Sequence, residues 1–251
     1  MSSKKVVFKN HSGIELSGRL DFSDVDTGKF ALFAHCFTCN KTLNAVRNIT
    51  KELVKNGFSV LQFDFTGLGD SDGVFEDTTF SGNVDDIIAA ASFLEKEYKS
   101  PSLLIGHSLG GSAVVFAASK ITSVKAFTTI GSPSTPSHVS HLFRSSLEEI
   151  KSSGEALVNI GGRDFKIKKE FVEDIERVSL LNTLKEMRKS FLIMHSPQDT
   201  TVGVESAAAM YSVAHHPKSF ISLDNADHLL HNKEDSVYAG EVIAAWAKRY
   251  V

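Results

Sequence analysis

A serine with glycine two residues to either side, Gly106-His107-Ser108-Leu109-Gly110, is the segment whose residue types most directly suggest chemistry. Such a serine serves as a nucleophile when the chain turns sharply from strand to helix. Glycines are then needed because any side chain would jam the strand against the helix. The residues before it, Leu103-Leu104-Ile105, form an apolar β-type run, and Ala113 to Ala118 after it are small and apolar, as a packed helix requires. The motif alone also fits a plain turn or a phosphate-binding loop. The strand before it and the helix after it select the nucleophile.

A serine hydroxyl attacks poorly until a base takes its proton, and that base needs a carboxylate to fix its tautomer and stabilise the cation. His228, in Asp224-Asn225-Ala226-Asp227-His228, stands just after the last β-type run, Ser219 to Leu223. Asp199, in Ser196-Pro197-Gln198-Asp199, follows the preceding run, Phe191 to Met194. Asp224 and Asp227 are rival acids, but both lie too near His228 in sequence to orient it from across a strand end. Charge developing on an attacked carbonyl calls for two backbone N–H donors. Leu109, after the nucleophile, supplies one, and Phe37, in the loop His35-Cys36-Phe37-Thr38, supplies the other. This chemistry requires neither cofactor nor metal.

The elements that must position these groups alternate along the chain. Lys4 to Lys9 and Ile14 to Leu20 read as an N-terminal hairpin around Asn10-His11-Ser12-Gly13, with a polar turn region from Asp21 to Gly28. Phe30 to Ala34, Phe58 to Phe63, Ser102 to Ile105, Val124 to Ile130, Phe191 to Met194 and Ser219 to Leu223 read as strands. Between and after them, Leu43 to Val54, Val84 to Leu94, Ala113 to Ala118, Glu205 to Val213 and Val237 to Trp246 have helical character. This alternation predicts an α/β fold, a mostly parallel sheet covered on both faces, with chemistry at the carboxyl ends of its strands. One segment, Gly131 to Lys189, is too long for a simple connection. It reads as a lid inserted into a single domain spanning residues 1–251, with a helix at Leu142 to Ile150, a hairpin around Gly161-Gly162 and helical spacing from Phe171 to Leu184.

Composition narrows the function classes. With 42% hydrophobic and 23% charged residues and a net charge of −3, the chain is an ordinary globular protein without the basic surface that nucleic acid or anionic lipid would select. The N-terminal apolar run is too short for a signal peptide, and no run reaches membrane-spanning length. A cytoplasmic location follows as the expectation. Cys36 and Cys39, in C-x-x-C, are therefore expected to be reduced loop residues; the competing reading is a dithiol redox site. His35 and His107 have no carboxylate or third histidine at ligand spacing and read as structural histidines rather than metal ligands. Asp64, Asp70 and Asp72 read as backbone-bonding residues of a Gly-rich turn.

His35-Cys36-Phe37-Thr38-Cys39-Asn40, Phe63-Asp64-Phe65-Thr66-Gly67-Leu68-Gly69-Asp70-Ser71-Asp72-Gly73, the Ser108 elbow, Ser196-Pro197-Gln198-Asp199 and Ala226-Asp227-His228 together resemble a bacterial α/β-hydrolase family often fused to an OsmC-type domain. They are also similar to small feruloyl-esterase-like carboxylesterases. The resemblance covers nearly the whole chain and implies a serine esterase with a short lid. It implies Ser108, Asp199 and His228 as its triad and Phe37 and Leu109 as its oxyanion hole. The chain stops after Trp246 to Val251, so no OsmC-type domain is expected within it. Cys36 departs from the His-Gly pair usual at that place in hydrolases. The expected substrate is a small ester, and the same residues would serve a thioesterase, amidase or peptidase. A redox-linked binding module built on Cys36 and Cys39 is the alternative from another class. An apolar lid face would serve a substrate or the second subunit of a homodimer, and the redox-linked alternative would include a separate OsmC-type protein as partner.

Overall fold

A computed structural model describes residues 2–25 and 27–251. Strands β1 (Ser2–Lys9) and β2 (Glu15–Phe22) form the antiparallel N-terminal hairpin. They are followed by β3 (Lys29–Ala34), β4 (Phe58–Phe63), β5 (Leu103–His107) and β6 (Ala126–Ile130). Strands β7 (Glu155–Ile160) and β8 (Arg163–Lys168) form a separate two-stranded sheet, and β9 (Ser190–His195) and β10 (Lys218–Ser222) complete the main sheet. Its order is β1-β2-β4-β3-β5-β6-β9-β10, with β2 antiparallel to β4 and every pair from β4 to β10 parallel. Leu32 in β3 lies opposite Leu61 on one side and Leu104 on the other, so the apolar run Phe30 to Ala34 is buried on both faces.

Helices α1 (Asn44–Lys55), α2 (Phe80–Glu97) and α3 (Leu109–Lys120) alternate with the strands. Helix α1 turns Val46, Ile49 and Leu53 inward and leaves Arg47 and Lys51 in solvent, the stripe a sheet-covering helix needs. It shares its buried cluster with the C-terminal helix, Lys233–Ala247, through Ile243, Ala244 and Ala247. Helices α2 and α3 cover the opposite face, where Phe80, Ile87 and Val114 belong to a second buried cluster.

Three local expectations are corrected. Strand β2 continues to Phe22, because Asp21, read as part of a polar turn, is buried and accepts hydrogen bonds from Arg19 Nε (3.0 Å) and Gln62 Nε2 (2.8 Å). Asp26 of that expected turn lies outside the described residues. The helix expected at Leu142 to Ile150 is instead a 3-10 run, Pro136–Ser146, broken at Phe143, and then α4 (Leu147–Ser153). The helical stretch expected from Phe171 to Leu184 is two helices, α5 (Lys169–Arg177) and α6 (Leu180–Glu186), separated by extended backbone at Val178 and Ser179. The chain is completed by α7 (Glu205–Val213) and α8, the C-terminal helix already described.

The segment between β6 and β9 turns its apolar side inward. Phe171, Ile175, Leu180 and Leu184 join the same buried cluster as α2 and α3, and Leu157 is its one strongly exposed large hydrophobic among the described residues. No described helix is long and apolar enough to cross a membrane.

Candidate active site

The carboxyl ends of β3, β5, β9 and β10 face one edge of the sheet, and each delivers one expected group. After β5 the backbone turns through Ser108 at φ 54°, ψ −127°, a conformation costing about 1–3 kcal/mol for a residue with a side chain. The Ser108 N–H is held by the carbonyl of Ile130 at 2.9 Å. A Cβ on Gly106 would lie 2.5 Å from the carbonyl oxygen of Gly110, and one on Gly110 would lie 2.1 Å from that of His35. Both glycines are therefore required by packing at the turn.

Asp199 and His228 converge on this serine. His228 Nε2 is 2.9 Å from Ser108 Oγ, and His228 Nδ1 donates to Asp199 Oδ2 at 2.7 Å. The other oxygen of Asp199 accepts the backbone N–H groups of Thr201 (2.8 Å) and Val202 (2.9 Å). Burial works to raise the Asp199 carboxyl pKa, but the His228 N–H and the two amides outweigh it and hold the group below the ordinary carboxylate value. With Nδ1–H given to Asp199, His228 presents the lone pair of Nε2 to the serine hydroxyl. The rival acids lie elsewhere. Asp224 accepts from Ser222 Oγ, and Asp227 caps the Leu229 and His231 amides.

Two further histidines support this arrangement. His107 donates from Nε2 to the backbone carbonyl of His228 at 2.7 Å, and burial pushes its pKa down to about 3, so it is a neutral strut under the base. His195 donates to the carbonyl of Val202 at 2.8 Å and steadies the loop that holds Asp199.

The Phe37 and Leu109 amides donate to no acceptor among the described residues, which leaves both available at the serine. The Phe37 loop is tied on several sides. Beneath it, His35 donates from Nδ1 to the Cys36 carbonyl (2.8 Å) and accepts the Phe65 N–H (3.3 Å), its pKa lowered to about 4 by burial. Asp64 receives Lys41 Nζ, the Lys41 amide (2.6 Å) and the Asp70 amide (2.9 Å), and Asp70 also pairs with Lys41 Nζ at 2.9 Å. The reading of Asp64 and Asp70 as simple turn residues is thus incomplete, because they clamp a lysine from the neighbouring loop. From above, Arg163 at the start of β8 donates to the carbonyl of Thr38, whose φ is 59°. The Phe37 ring stacks on Phe171 of α5 (5.3 Å) and meets Phe75 (5.7 Å), which in turn meets Phe165 of β8 (4.9 Å).

The expectation of reduced thiols is corrected: Cys36 and Cys39 form a disulfide, with Cα atoms 5.3 Å apart. The turn that carries Phe37 brings them together, since the Cys39 N–H bonds the Cys36 carbonyl at 3.2 Å. An argument from compartment does not see that local geometry.

A cavity of about 570 Å³ opens over Ser108, the size of a small-molecule site. The Phe37 loop, Leu109, the 3-10 run and the β7–β8 turn line it. His138, His141 and Arg163, with Asn40 and the threonines Thr38, Thr42 and Thr201, supply its polar wall, and no carboxylate side chain lines it among the described residues. His138, His141, Arg163, Lys41 and the packing of Phe37 and Phe171 with Phe75 and Phe165 were not singled out in the sequence. Apart from His141, which bonds the His138 carbonyl three residues before it, they act through contacts with distant residues that have no local signature.

Comparison with known proteins finds hydrolases of the same fold. Residues 33–132 match a family described as serine aminopeptidase, S33. The esterase domain of a Rhodothermus marinus protein is 49% identical, superposes with a TM-score of 0.83, and the alignment covers 100% of this chain and 99% of that one. Est1E from Butyrivibrio proteoclasticus, solved with ferulic acid bound, is 21% identical with a TM-score of 0.79, covering 97% and 99% of the two chains. Mouse alpha/beta hydrolase domain-containing protein 10 is 19% identical with a TM-score of 0.81 over 98% and 99%. No curated protein matches the chain.

Proposed function

This chain belongs to the α/β-hydrolases, esterase-like in kind, and we propose that it is a serine carboxylesterase cleaving small acyl or aryl esters through an acyl-enzyme. The observation that carries the reading is the continuous relay from Ser108 Oγ to His228 (2.9 Å) to Asp199 (2.7 Å), beside two unengaged amides. Ser108 Oγ attacks the ester carbonyl as His228 Nε2 takes its proton, and the oxyanion settles between the Phe37 and Leu109 N–H groups. His228 then protonates the departing alcohol. In the second half it takes a proton from water, which attacks the acyl-serine and releases the acid. Asp199 stays ionised throughout and stabilises the imidazolium. Residues 131–189 act as a lid that walls the acyl and alcohol binding space.

The matched family description raises aminopeptidase activity as a second reading. Such an enzyme must bind an α-ammonium group, which calls for an anionic wall. The cavity, with His138, His141 and Arg163 and no lining carboxylate among the described residues, favours esters instead. Thioesters use the same groups and belong in the same assay.

The test is a p-nitrophenyl ester series of increasing acyl length, run beside feruloyl esters, thioesters and aminoacyl arylamides. Ester turnover is expected to exceed arylamide turnover, and Ser108→Ala should lower it by about 10³-fold or more with the fold retained. Folded wild-type protein that turns over none of these esters would contradict the proposal.

A further inference from the structure

The guanidinium of Arg163, at the cavity mouth, carries a charge that no ion pair neutralises among the described residues. Along β8, Lys166 pairs with Glu155 (3.1 Å) and Glu76 (3.6 Å), and Lys168 pairs with Asp77 (2.5 Å) and Glu76 (3.7 Å). Arg163, on the same strand, has no ion-pair partner among the described residues and lines the cavity that holds Ser108. Its neighbour Asp164 is engaged by Asn159 Nδ2 at 2.7 Å.

Arg163 is nevertheless held in place. One N–H group donates to the Thr38 carbonyl, and the guanidinium lies over the Phe165 ring with its central carbon 5.2 Å from the ring centre. A guanidinium carries five donors, so several remain to be filled. An arginine whose rotamer is already fixed by a ring and a carbonyl loses little freedom when it captures an anion, and its fork matches a carboxylate in two bonds. The rest of the wall does not compete for it. His138 commits Nε2 to the Thr201 carbonyl (3.0 Å) and His141 commits Nδ1 to the His138 carbonyl (2.7 Å), and no carboxylate lines the cavity among the described residues.

We propose that Arg163 is a specificity-determining residue that selects esters carrying a carboxylate at the end remote from the scissile bond. The inference rests on the esterase reading above and names the substrate class of that same site. In it, Ser108 works at one end of the cavity while Arg163 receives the substrate's anion at the lid turn. The uncharged counterpart of such an ester leaves the guanidinium in water and gains nothing from it.

The experiment compares kcat/KM for matched esters in two arms. One arm sets mono-p-nitrophenyl adipate against p-nitrophenyl hexanoate, which places the carboxylate on the acyl half. The other sets 3-carboxyphenyl butyrate against 3-carbamoylphenyl butyrate, which places it on the alcohol half. Wild-type protein should favour the carboxylate ester by about tenfold in one arm, the scale of one charge-assisted pair at a partly solvated site. The preference should reside in KM and shrink as salt is raised. Arg163→Gln should bring the ratio close to one, and Arg163→Lys should keep part of it. Arg163 also touches the Phe37 loop, so a purely structural role would lower both esters of a pair by one factor and leave the ratio intact; that result would overturn the proposal. A ratio near one in both wild-type arms would overturn it too. If the esterase reading itself fails, no ester of either pair is turned over, which separates the two failures.

Discussion

Asp199 shows how much a single side chain settles here. Its Oδ1 is occupied by the Thr201 and Val202 amides, so in Asp199→Asn the amide oxygen stays with those donors and the NH₂ faces His228. His228 must then carry its proton on Nε2, the wrong side for taking one from Ser108. We expect kcat to fall about 10⁴-fold with the fold intact, as judged by steady-state kinetics beside circular dichroism. A loss below tenfold would mean that the carboxylate does not set the tautomer. Ser108, Asp199 and His228 were legible because each follows a β-type run at a strand end. Arg163 and Lys41 were not, since their partners Thr38, Asp64 and Asp70 are brought to them only by the fold.

The loop after β3 and the inserted segment act as a unit. Phe37, Phe75, and the pair Phe165 and Phe171 come from three separate stretches of chain and pack together, so the inserted segment is seated on the loop that carries the Phe37 amide. Phe171 is 3% exposed, and truncating a buried phenylalanine to alanine costs about 3–5 kcal/mol. Phe171→Ala should therefore lower the urea midpoint strongly, whereas Lys168→Ala, which removes only exposed ion pairs, should leave it nearly unmoved. Equal shifts would show that the ion pairs seat the lid. The Cys36–Cys39 disulfide spans the same loop and brackets Phe37. Reduction with dithiothreitol should lower kcat several-fold with little change in KM, and equal rates under dithiothreitol and diamide would separate the disulfide from catalysis. The hairpin around Gly161-Gly162 was readable from its turn residues. The break at Val178-Ser179 was not, because no glycine or proline marks it.

Over the whole molecule, buried neutral histidines tie stability to pH. His35 and His107 titrate at about 4 and about 3 in the fold, both lowered by burial from the ordinary 6.5. Below pH 6.5 the unfolded chain takes up protons that the folded one refuses, so their contribution is complete above that pH and is lost as pH falls toward 4 and then 3. Each should contribute about 1.4 kcal/mol per pH unit inside its window. Asp199, whose carboxyl pKa is held below its ordinary 3.8, adds loss in the same direction as pH falls through and below that value. Urea unfolding at successive pH values should show this slope, and His107→Gln, which keeps a donor for the His228 carbonyl, should remove one histidine's share. An unchanged slope would contradict the assignment of His107 as a neutral strut. The alternation of apolar runs and helical spacing made the α/β order legible, because each parallel strand is buried on both faces. Sheet order and the seating of the lid depend on contacts between distant residues.

The proposed reaction makes Ser108 the nucleophile. Its most direct test is intact-protein mass spectrometry after treatment with a fluorophosphonate, followed by peptide mapping. A single adduct is expected on Ser108, absent from Ser108→Ala and forming much more slowly in His228→Gln. An unlabelled Ser108 in folded protein, or an adduct elsewhere that survives Ser108→Ala, would contradict it.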